Sequence, residues 1–319
     1  MGETKLEQLK NFYSNGKLLL TGEYLVLDGA KSLALPTKFG QDLTVEPISE
    51  PQLIWGSFTY AGTCWFEAVF ELPKLRLVQC TFETDQEGNA DVIAETLLEI
   101  LQEAKRMNPS FLATEKGFCV KTTLNFPRNW GLGSSSTLIN SIASWAAVDA
   151  FQLLWNSFKG SGYDVACAQN NSPILYQIKN QKPIIRPVEF NPSFKENLFF
   201  VYLNQKQDSK EGIATYRRAG EQRHTAEVLQ RISALSEAFL KAASIEELNA
   251  IIVEHEKIVG AMIDLAPVKK TLFPDYFGEV KSLGAWGGDF VLATGNEETP
   301  NYFKEKGYAT VLGYHQIIL

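Results

Sequence analysis

The stretch Pro127-Arg128-Asn129-Trp130-Gly131-Leu132-Gly133-Ser134-Ser135-Ser136-Thr137 decides how this chain is read. Strand-forming residues over 118–124 lead into it, and a helical pattern opens at Ser134. Glycines at 131 and 133 let the backbone take positive φ and approach a bound group closely. A helix starting just beyond them offers unpaired N–H groups and a partial positive charge, to which the serine hydroxyls add. Together these make a cradle for an anion such as phosphate. The spacing is not that of a Walker A loop, which needs Gly-Lys-Ser or Gly-Lys-Thr, nor is it G-x-G-x-x-G. Read alone, the same residues also fit a glycine turn with serine caps before a structural helix.

Outward from this point, the first half of the chain is rich in strand signals at 17–27, 43–46, 64–70, 75–82 and 118–124. One helix interrupts them over 91–107, with Asp91 as its cap, a stripe from Val92 and Ile93 through Leu97, Ile100 and Leu101 to Ala104, and Pro109 as a stop. Helical periodicity returns at 134–158, at 223–243 and, opened by a Ser244/Glu247 capping box, as far as Leu265. Strands are expected at 174–178, 198–203 and 290–294, with a last one ending at Leu319. Strands and helices mix without a regular βαβ alternation, so the fold class is α+β. Pro183, Pro187 and Pro192 cluster between 180 and 197, where a domain boundary is expected.

The chain has 319 residues, 45% of them hydrophobic, enough for one large or two intimate domains. The longest weakly polar run, 141–155, is broken by Asp149 and Gln152 and is shorter than a membrane span. No secretion signal is read at the N-terminus, so a cytoplasmic protein is expected, with no membrane partner. A net charge of −7 argues against a nucleic-acid surface. Cys64, Cys80, Cys119 and Cys167 are scattered, with neither zinc spacing nor a disulfide framework.

The segment from Pro127 to Ser135 resembles, at every defining position, the P-x-x-x-G-L-G-S-S motif of the GHMP kinases, which include galactokinase, homoserine kinase, mevalonate kinase and phosphomevalonate kinase. Two more segments are similar to that family's motifs and follow in its order. Gly16-Lys17 through Gly22-Glu23 resembles the N-terminal G-K-x-x-x-x-G-E, and Gly284-Ala285-Trp286-Gly287-Gly288-Asp289 resembles the C-terminal G-A-G-x-G-G. The resemblance spans almost the whole chain.

It implies a two-domain GHMP kinase fold: an N-terminal α+β domain at 1–185 carrying the ATP-binding motif, and a C-terminal ferredoxin-like domain at 186–319. It implies transfer of the γ-phosphoryl group of ATP, with Mg2+, to a small-molecule acceptor. For such a transfer, positioning and charge neutralisation matter more than covalent chemistry. Pro127, Gly131, Leu132, Gly133, Ser134, Ser135 and Ser136 would hold the nucleotide, with Ser135 also a magnesium ligand. Gly160-Ser161-Gly162-Tyr163-Asp164 resembles the segment that supplies the catalytic Asp in mevalonate and phosphomevalonate kinases, making Asp164 the candidate base and Lys17 its matching cation. On the residues alone, Asp164 also fits a helix cap and Lys17 a solvated strand end.

Tyr24 after Glu23, the Gly-Gly-Asp ending and Asp208-Ser209-Lys210-Glu211 resemble phosphomevalonate kinases more than mevalonate kinases. Glu23, Tyr24, Ser209, Lys210, Gly287 and Gly288 are therefore expected at the acceptor, with Lys206, Arg217, Arg218 and Arg223 as nearby cations; on the residues alone these cations equally fit a solvated basic helix face. The resemblance implies a place in isoprenoid biosynthesis, on the mevalonate pathway, and is compatible with a homodimer. A sugar or other small hydroxyl compound is the alternative acceptor, and a catalytically silent binding relative the alternative role. The pattern departs at Trp286, where the family prefers Gly, at Ser14-Asn15 before Gly16, and at 150–160, where no carboxylate stands for the usual magnesium ligand. His255 shares an apolar stripe with Ile251, Ile252 and Ile258 and reads as a hydrogen-bonded core residue.

Overall fold

The computed structural model describes residues 9–82, 90–158, 160–205, 209–218 and 225–319. They fall into two compact units that interleave along the chain, the first within 1–15, 39–128 and 133–169, and the second within 16–38, 129–132 and 170–319. The proline-bearing segment 180–197, where the sequence suggests a boundary, lies within the second.

Two long strands, β1 (Lys10–Leu19) and β2 (Ser32–Ile48), pair with each other and pass through both units. In the first unit the strand order is β5-β4-β3-β6-β2, formed by β3 (Gln52–Phe58), β4 (Cys64–Glu71), β5 (Arg76–Phe82) and β6 (Gly117–Leu124). All neighbours are antiparallel except β3 and β6. In β2, Leu43 and Val45 are buried while Asp42 and Glu46 are exposed, the period-two signature of a sheet with one covered face. The helices are α1 (Ala90–Met107), α2 (Ser134–Ala146), α3 (Ala150–Ser157) and α4 (Tyr163–Gln169). Helix α1 buries Ala94, Leu97, Ile100, Leu101 and Ala104. Asp91 lies inside its first turn and Val92 is exposed, so the apolar face begins later than periodicity suggests.

In the second unit, β7 (Ile174–Lys179) and β8 (Lys182–Pro187) form a hairpin turning on Asn180 and Gln181, both at positive φ as a two-residue turn requires. Residues Ser32 to Ala34 of β2 add to β7. The remaining elements are β9 (Leu198–Tyr202), α5 (Ser209–Arg218), α6 (Ala226–Lys241), α7 (Ile245–Ile263), α8 (Val268–Leu272), β10 (Val280–Ser282), β11 (Phe290–Thr294), α9 (Thr299–Glu305), β12 (Val311–Gly313) and α10 (Tyr314–Ile317). The sheet order β10-β11-β9-β12 is antiparallel throughout. Helices separate β9 from β10 and β11 from β12, which is the ferredoxin-like arrangement expected from the resemblance. Its core includes Val201, Phe273, Val291 and Phe303. A second cluster gathers Tyr24, Leu25, Tyr216, Ile232, Leu235, Val259 and Trp286.

Three sequence expectations are corrected. The strand expected over 17–27 ends at Leu19, because Gly22 (φ 84) and Gly29 (φ 91) turn the chain around a short helical turn, Leu25–Asp28. The helix expected over 134–158 breaks at Ala147, which takes a left-handed conformation, and restarts where the Asp149 side chain caps the N–H of Gln152. The last strand ends at Gly313 and gives way to α10, after which Ile318 makes a single β-bridge with Thr37. Among the described residues no helix is long and apolar enough to cross a membrane.

Candidate functional site

The glycine loop leaves β6 through Pro127 and a helical turn, Arg128–Trp130. In the first unit, Gly133 (φ 93) caps α2 without a side chain, so the first N–H groups of that helix are not consumed by a cap. The N–H of Thr137 closes the first helical hydrogen bond, on the Gly133 carbonyl at 3.0 Å. Ser136 is buried and its hydroxyl donates to that same carbonyl at 2.9 Å, whereas Ser135 is exposed and Ser134 half-buried. Two of the three expected serines thus remain accessible, and the third stiffens the loop.

Asp164 lies in the first turn of α4, half-buried, after Gly160 (φ 128) and Gly162 (φ 87). Its Oδ1 accepts the N–H of Val165 at 3.0 Å. A polar ladder fixes α4 on α2: Gln169 donates to Asn140 Oδ1 at 2.9 Å, and the Asn140 amide donates to Ser14 at 2.9 Å. Ser14 in turn meets the Ser141 hydroxyl at 2.8 Å. The first turns bearing Ser134–Ser136 and Asp164 are therefore carried by helices locked to one another. The sequence reading missed Asn140, since nothing local marks it out.

In the second unit, Lys17 meets the loop twice. Its backbone N–H donates to the Leu132 carbonyl and its ammonium to the Gly131 carbonyl, each at 2.9 Å. Lys17, Trp130, Gly131, Gly284 and Asp289 line a narrow cleft of about 10 Å³, room for roughly one water. A Cβ added to Gly131 (φ 66) would lie 2.2 Å from the Asp289 carboxyl carbon, so only glycine fits. Trp130 packs edge-on to Phe290, ring centroids 5.4 Å apart, which anchors the loop on β11. Asp289 (φ 53) is held by backbone hydrogen bonds, its N–H to the Gln205 carbonyl and its carbonyl from the N–H of Leu203, each at 2.8 Å. Sequence reasoning used Asp289 only as part of a motif and missed its place against Gly131.

Of the residues expected at the acceptor, Tyr24 lies against Trp286, next to Gly287, and its hydroxyl stands 2.7 Å from where a Cβ on Gly212 would be, one turn along α5 from Ser209. The Glu23 carboxylate is 1% exposed and closed onto the Lys281 ammonium, so it is not presented to solvent. Burial raises the Glu23 carboxyl above its ordinary value, and Lys281 opposes that rise. The Tyr24 hydroxyl accepts the N–H of Trp286 at 3.0 Å, and its ring stacks on Tyr216 at 5.7 Å. Trp286, 4% exposed, turns its ring into the core, 3.4 Å from where a Cβ on Gly260 would stand. Gly287 is exposed and Gly288 buried.

Ser209 and Lys210 open α5, and Lys206, Asp208 and Arg223 lie outside the described residues. The Arg217 guanidinium is answered by Asp28 at 2.6 Å. That carboxylate also accepts the Tyr216 hydroxyl at 2.6 Å. A surface groove of about 440 Å³ beside Lys31, Leu229 and Ser233 contains none of the expected residues, and its Lys31–Glu237 pair closes on itself at 2.5 Å. No group of three or more His, Cys, Asp and Glu able to hold a metal occurs among the described residues.

No protein-family model matches the chain, and no curated protein does. Solved structures do. The mevalonate kinase of Methanococcus jannaschii is 17% identical, with a TM-score of 0.68, over 96% of this chain and 97% of that one. The Streptococcus pneumoniae phosphomevalonate kinase, in complex with phosphomevalonate and AMPPNP, is 15% identical, with a TM-score of 0.65 over 95% and 99%. Lactococcus lactis galactokinase complexed with galactose is 12% identical, with a TM-score of 0.64 over 97% and 93%. At these identities the likeness establishes the fold: nearly the whole chain adopts the two-domain architecture of these GHMP kinases.

Proposed function

We propose that this chain is a phosphotransferase of the GHMP kinase type that moves the γ-phosphoryl group of ATP to a small acceptor related to mevalonate, phosphomevalonate ahead of mevalonate. The observation that carries the reading is Lys17 held on the Gly131 carbonyl, in the loop that runs on into the uncapped N-terminus of α2. ATP with magnesium supplies, when bound, the transferable group and the cation that neutralises it. The residues present fit such a ligand: a loop with Gly131 and Gly133 at positive φ, a helix start with no side-chain cap, and the exposed Ser135 hydroxyl.

In this reading the backbone N–H groups of Ser134, Ser135 and Ser136 hold phosphate oxygens, and the α2 dipole favours their charge. Ser135, with its exposed hydroxyl, is the side chain offered to magnesium. Lys17 is the cation that the resemblance assigns to this transfer, and a preorganised charge of that kind lowers barriers in phosphoryl transfer. Asp164 orients the attacking oxygen of the acceptor and takes its proton where it carries one. Glu23 and Trp286 stand outside this scheme, being committed to the core.

The preference for phosphomevalonate is supported by the Gly287-Gly288-Asp289 ending and by Ser209-Lys210-Glu211 opening α5. An assay of ADP release with ATP and magnesium against mevalonate, phosphomevalonate, galactose and homoserine tests it. Turnover concentrated on phosphomevalonate or mevalonate, abolished by EDTA, is the expected result. Turnover on galactose or homoserine alone would move the chain to another branch. Nucleotide binding without turnover on any of the four would favour a silent relative.

A further inference from the structure

Four ionisable side chains from three separate segments meet deep in the second unit. Glu23 follows β1, His255 and Glu256 are neighbours on α7, and Lys281 lies on β10; each is at most 2% exposed. Lys281 pairs with Glu23 Oε1, donates to the Ser282 carbonyl at 2.9 Å, and stands 3.7 Å from Glu256 Oε1. The N–H of Gly22 donates to His255 Nε2 at 2.9 Å, and the N–H of Ser282 donates to Glu256 Oε1 at 3.1 Å. Because Nε2 accepts a hydrogen bond, it carries no proton. Its 3.4 Å approach to Glu23 Oε2 is therefore not an ion pair.

Stability alone does not account for this cluster. A buried ion pair gains little over apolar residues of the same volume, because desolvation offsets the attraction. Among the described residues, Glu23 Oε2 and His255 Nδ1 find no hydrogen-bond partner, a further cost. What the cluster does accomplish is geometric. Gly22 and Glu23 end the segment that begins at Gly16-Lys17, and Ser282 precedes Leu283 and Gly284. Leu283 and Gly284 line the Lys17 cleft, and a Cβ on Gly284 would lie 3.9 Å from the Lys17 ammonium.

We infer that His255, Glu256 and Lys281 are positioning residues that hold the Gly22–Glu23 and Ser282–Gly284 backbones, and through them Lys17; the inference rests on the phosphoryl-transfer reading above. They act on Lys17 through the segments they anchor.

The test compares paired substitutions in the full chain: His255→Gln against His255→Leu, and Glu256→Gln against Glu256→Leu. Glutamine keeps an acceptor for the anchored N–H, and leucine removes it while filling a similar volume. We expect the leucine variants to lose at least about tenfold in kcat per nucleotide-binding site, since small displacements of a reacting group are costly, while the glutamine variants stay within about threefold. A packing role would reverse that order, because an amide is harder to bury than leucine. If the leucine variants do not fold, Glu256→Gln still decides.

Burial pushes the Glu256 carboxyl up to about 8; Lys281 opposes this, Glu23 adds to it, and the N–H and hydroxyl of Ser282 oppose it. In the wild type a new charge beside Lys281 should lower kcat above that pH, and the glutamine variant should lack this part of the fall. Folded leucine variants with kcat within twofold of wild type would overturn the inference, as would an alkaline fall that Glu256→Gln leaves unchanged. Absence of wild-type turnover on every acceptor would overturn the kinase reading and this inference with it, which separates the two failures.

Discussion

The ammonium of Lys17 donates to the carbonyl oxygen of Gly131 at 2.9 Å, tying β1 to a loop 114 positions further along the chain. This bond fixes a cation beside the glycine loop. Lys17→Met should lower kcat by roughly 100- to 1000-fold, the range seen when one preorganised electrostatic contact is removed. Its melting temperature should stay within a few degrees of wild type, because a neutral chain of similar shape still packs there. Steady-state kinetics beside thermal unfolding checks both statements.

Gly131 is confined by two independent constraints, its φ of 66° and the Asp289 carboxyl 2.2 Å from any added Cβ. Gly131→Ala should destabilise the protein by about 1–3 kcal/mol through overpacking and strain. In the double variant with Asp289→Gly the overpacking part should disappear and the backbone part remain. Denaturant midpoints of the four proteins in the cycle measure the coupling, and strict additivity would show that the two residues do not meet.

The buried cluster makes stability depend on pH in opposite senses. The Glu256 carboxyl is raised from 4.5 to about 8, so the folded state holds a proton that the unfolded chain has released. Its contribution is fully present below pH 4.5 and is lost as pH rises toward 8, at up to roughly 1.4 kcal/mol per pH unit. Burial, with Lys281, keeps His255 well below its ordinary 6.5, so its contribution is present above that value and lost as pH falls. Glu256→Gln should therefore gain on wild type steadily from pH 5 to pH 8 in chemical unfolding, whereas parallel curves would mean that Glu256 is already charged at neutral pH.

Trp286 belongs to the core despite standing in a motif. Trp286→Ala should cost about 3–5 kcal/mol, the usual range for emptying a buried aromatic site. Tyr24→Phe, which leaves the Trp286 N–H without its acceptor, should cost about 1–3 kcal/mol. Where the tryptophan variant is still folded, its acceptor KM should lie close to wild type; a large KM shift with little loss of stability would put the ring in the acceptor pocket.

The features legible in the sequence were local ones. The glycines at 131 and 133 and the serines behind them marked the turn into α2, and the Ser244 side chain caps α7 as its motif suggested. The run over 17–27 reads as one strand because it is almost continuously apolar, and the residues from Leu18 to Val26 are indeed all buried, but burial does not distinguish a strand from a packed turn. Glu23 could not be separated from a ligand-binding carboxylate, since its partner Lys281 lies 258 residues away and no local pattern announces a buried lysine. Arg217 read as a free cation for a similar reason: Asp28, which neutralises it, is 189 residues earlier in the chain. Asn140 and Asp289 were overlooked because their importance comes from what packs against them.

The central claim is that this chain transfers a phosphoryl group and that Asp164 carries the acceptor side of the reaction. The most direct measurement follows the γ-phosphoryl group of ATP onto mevalonate and phosphomevalonate in wild type and Asp164→Asn, with nucleotide affinity measured on the same samples. We predict transfer to one of the two acceptors, lowered about 10²- to 10⁴-fold in the variant, with the nucleotide dissociation constant unchanged within about threefold. An Asp164→Asn protein as fast as wild type, or a wild type that binds ATP yet phosphorylates neither acceptor, would contradict it.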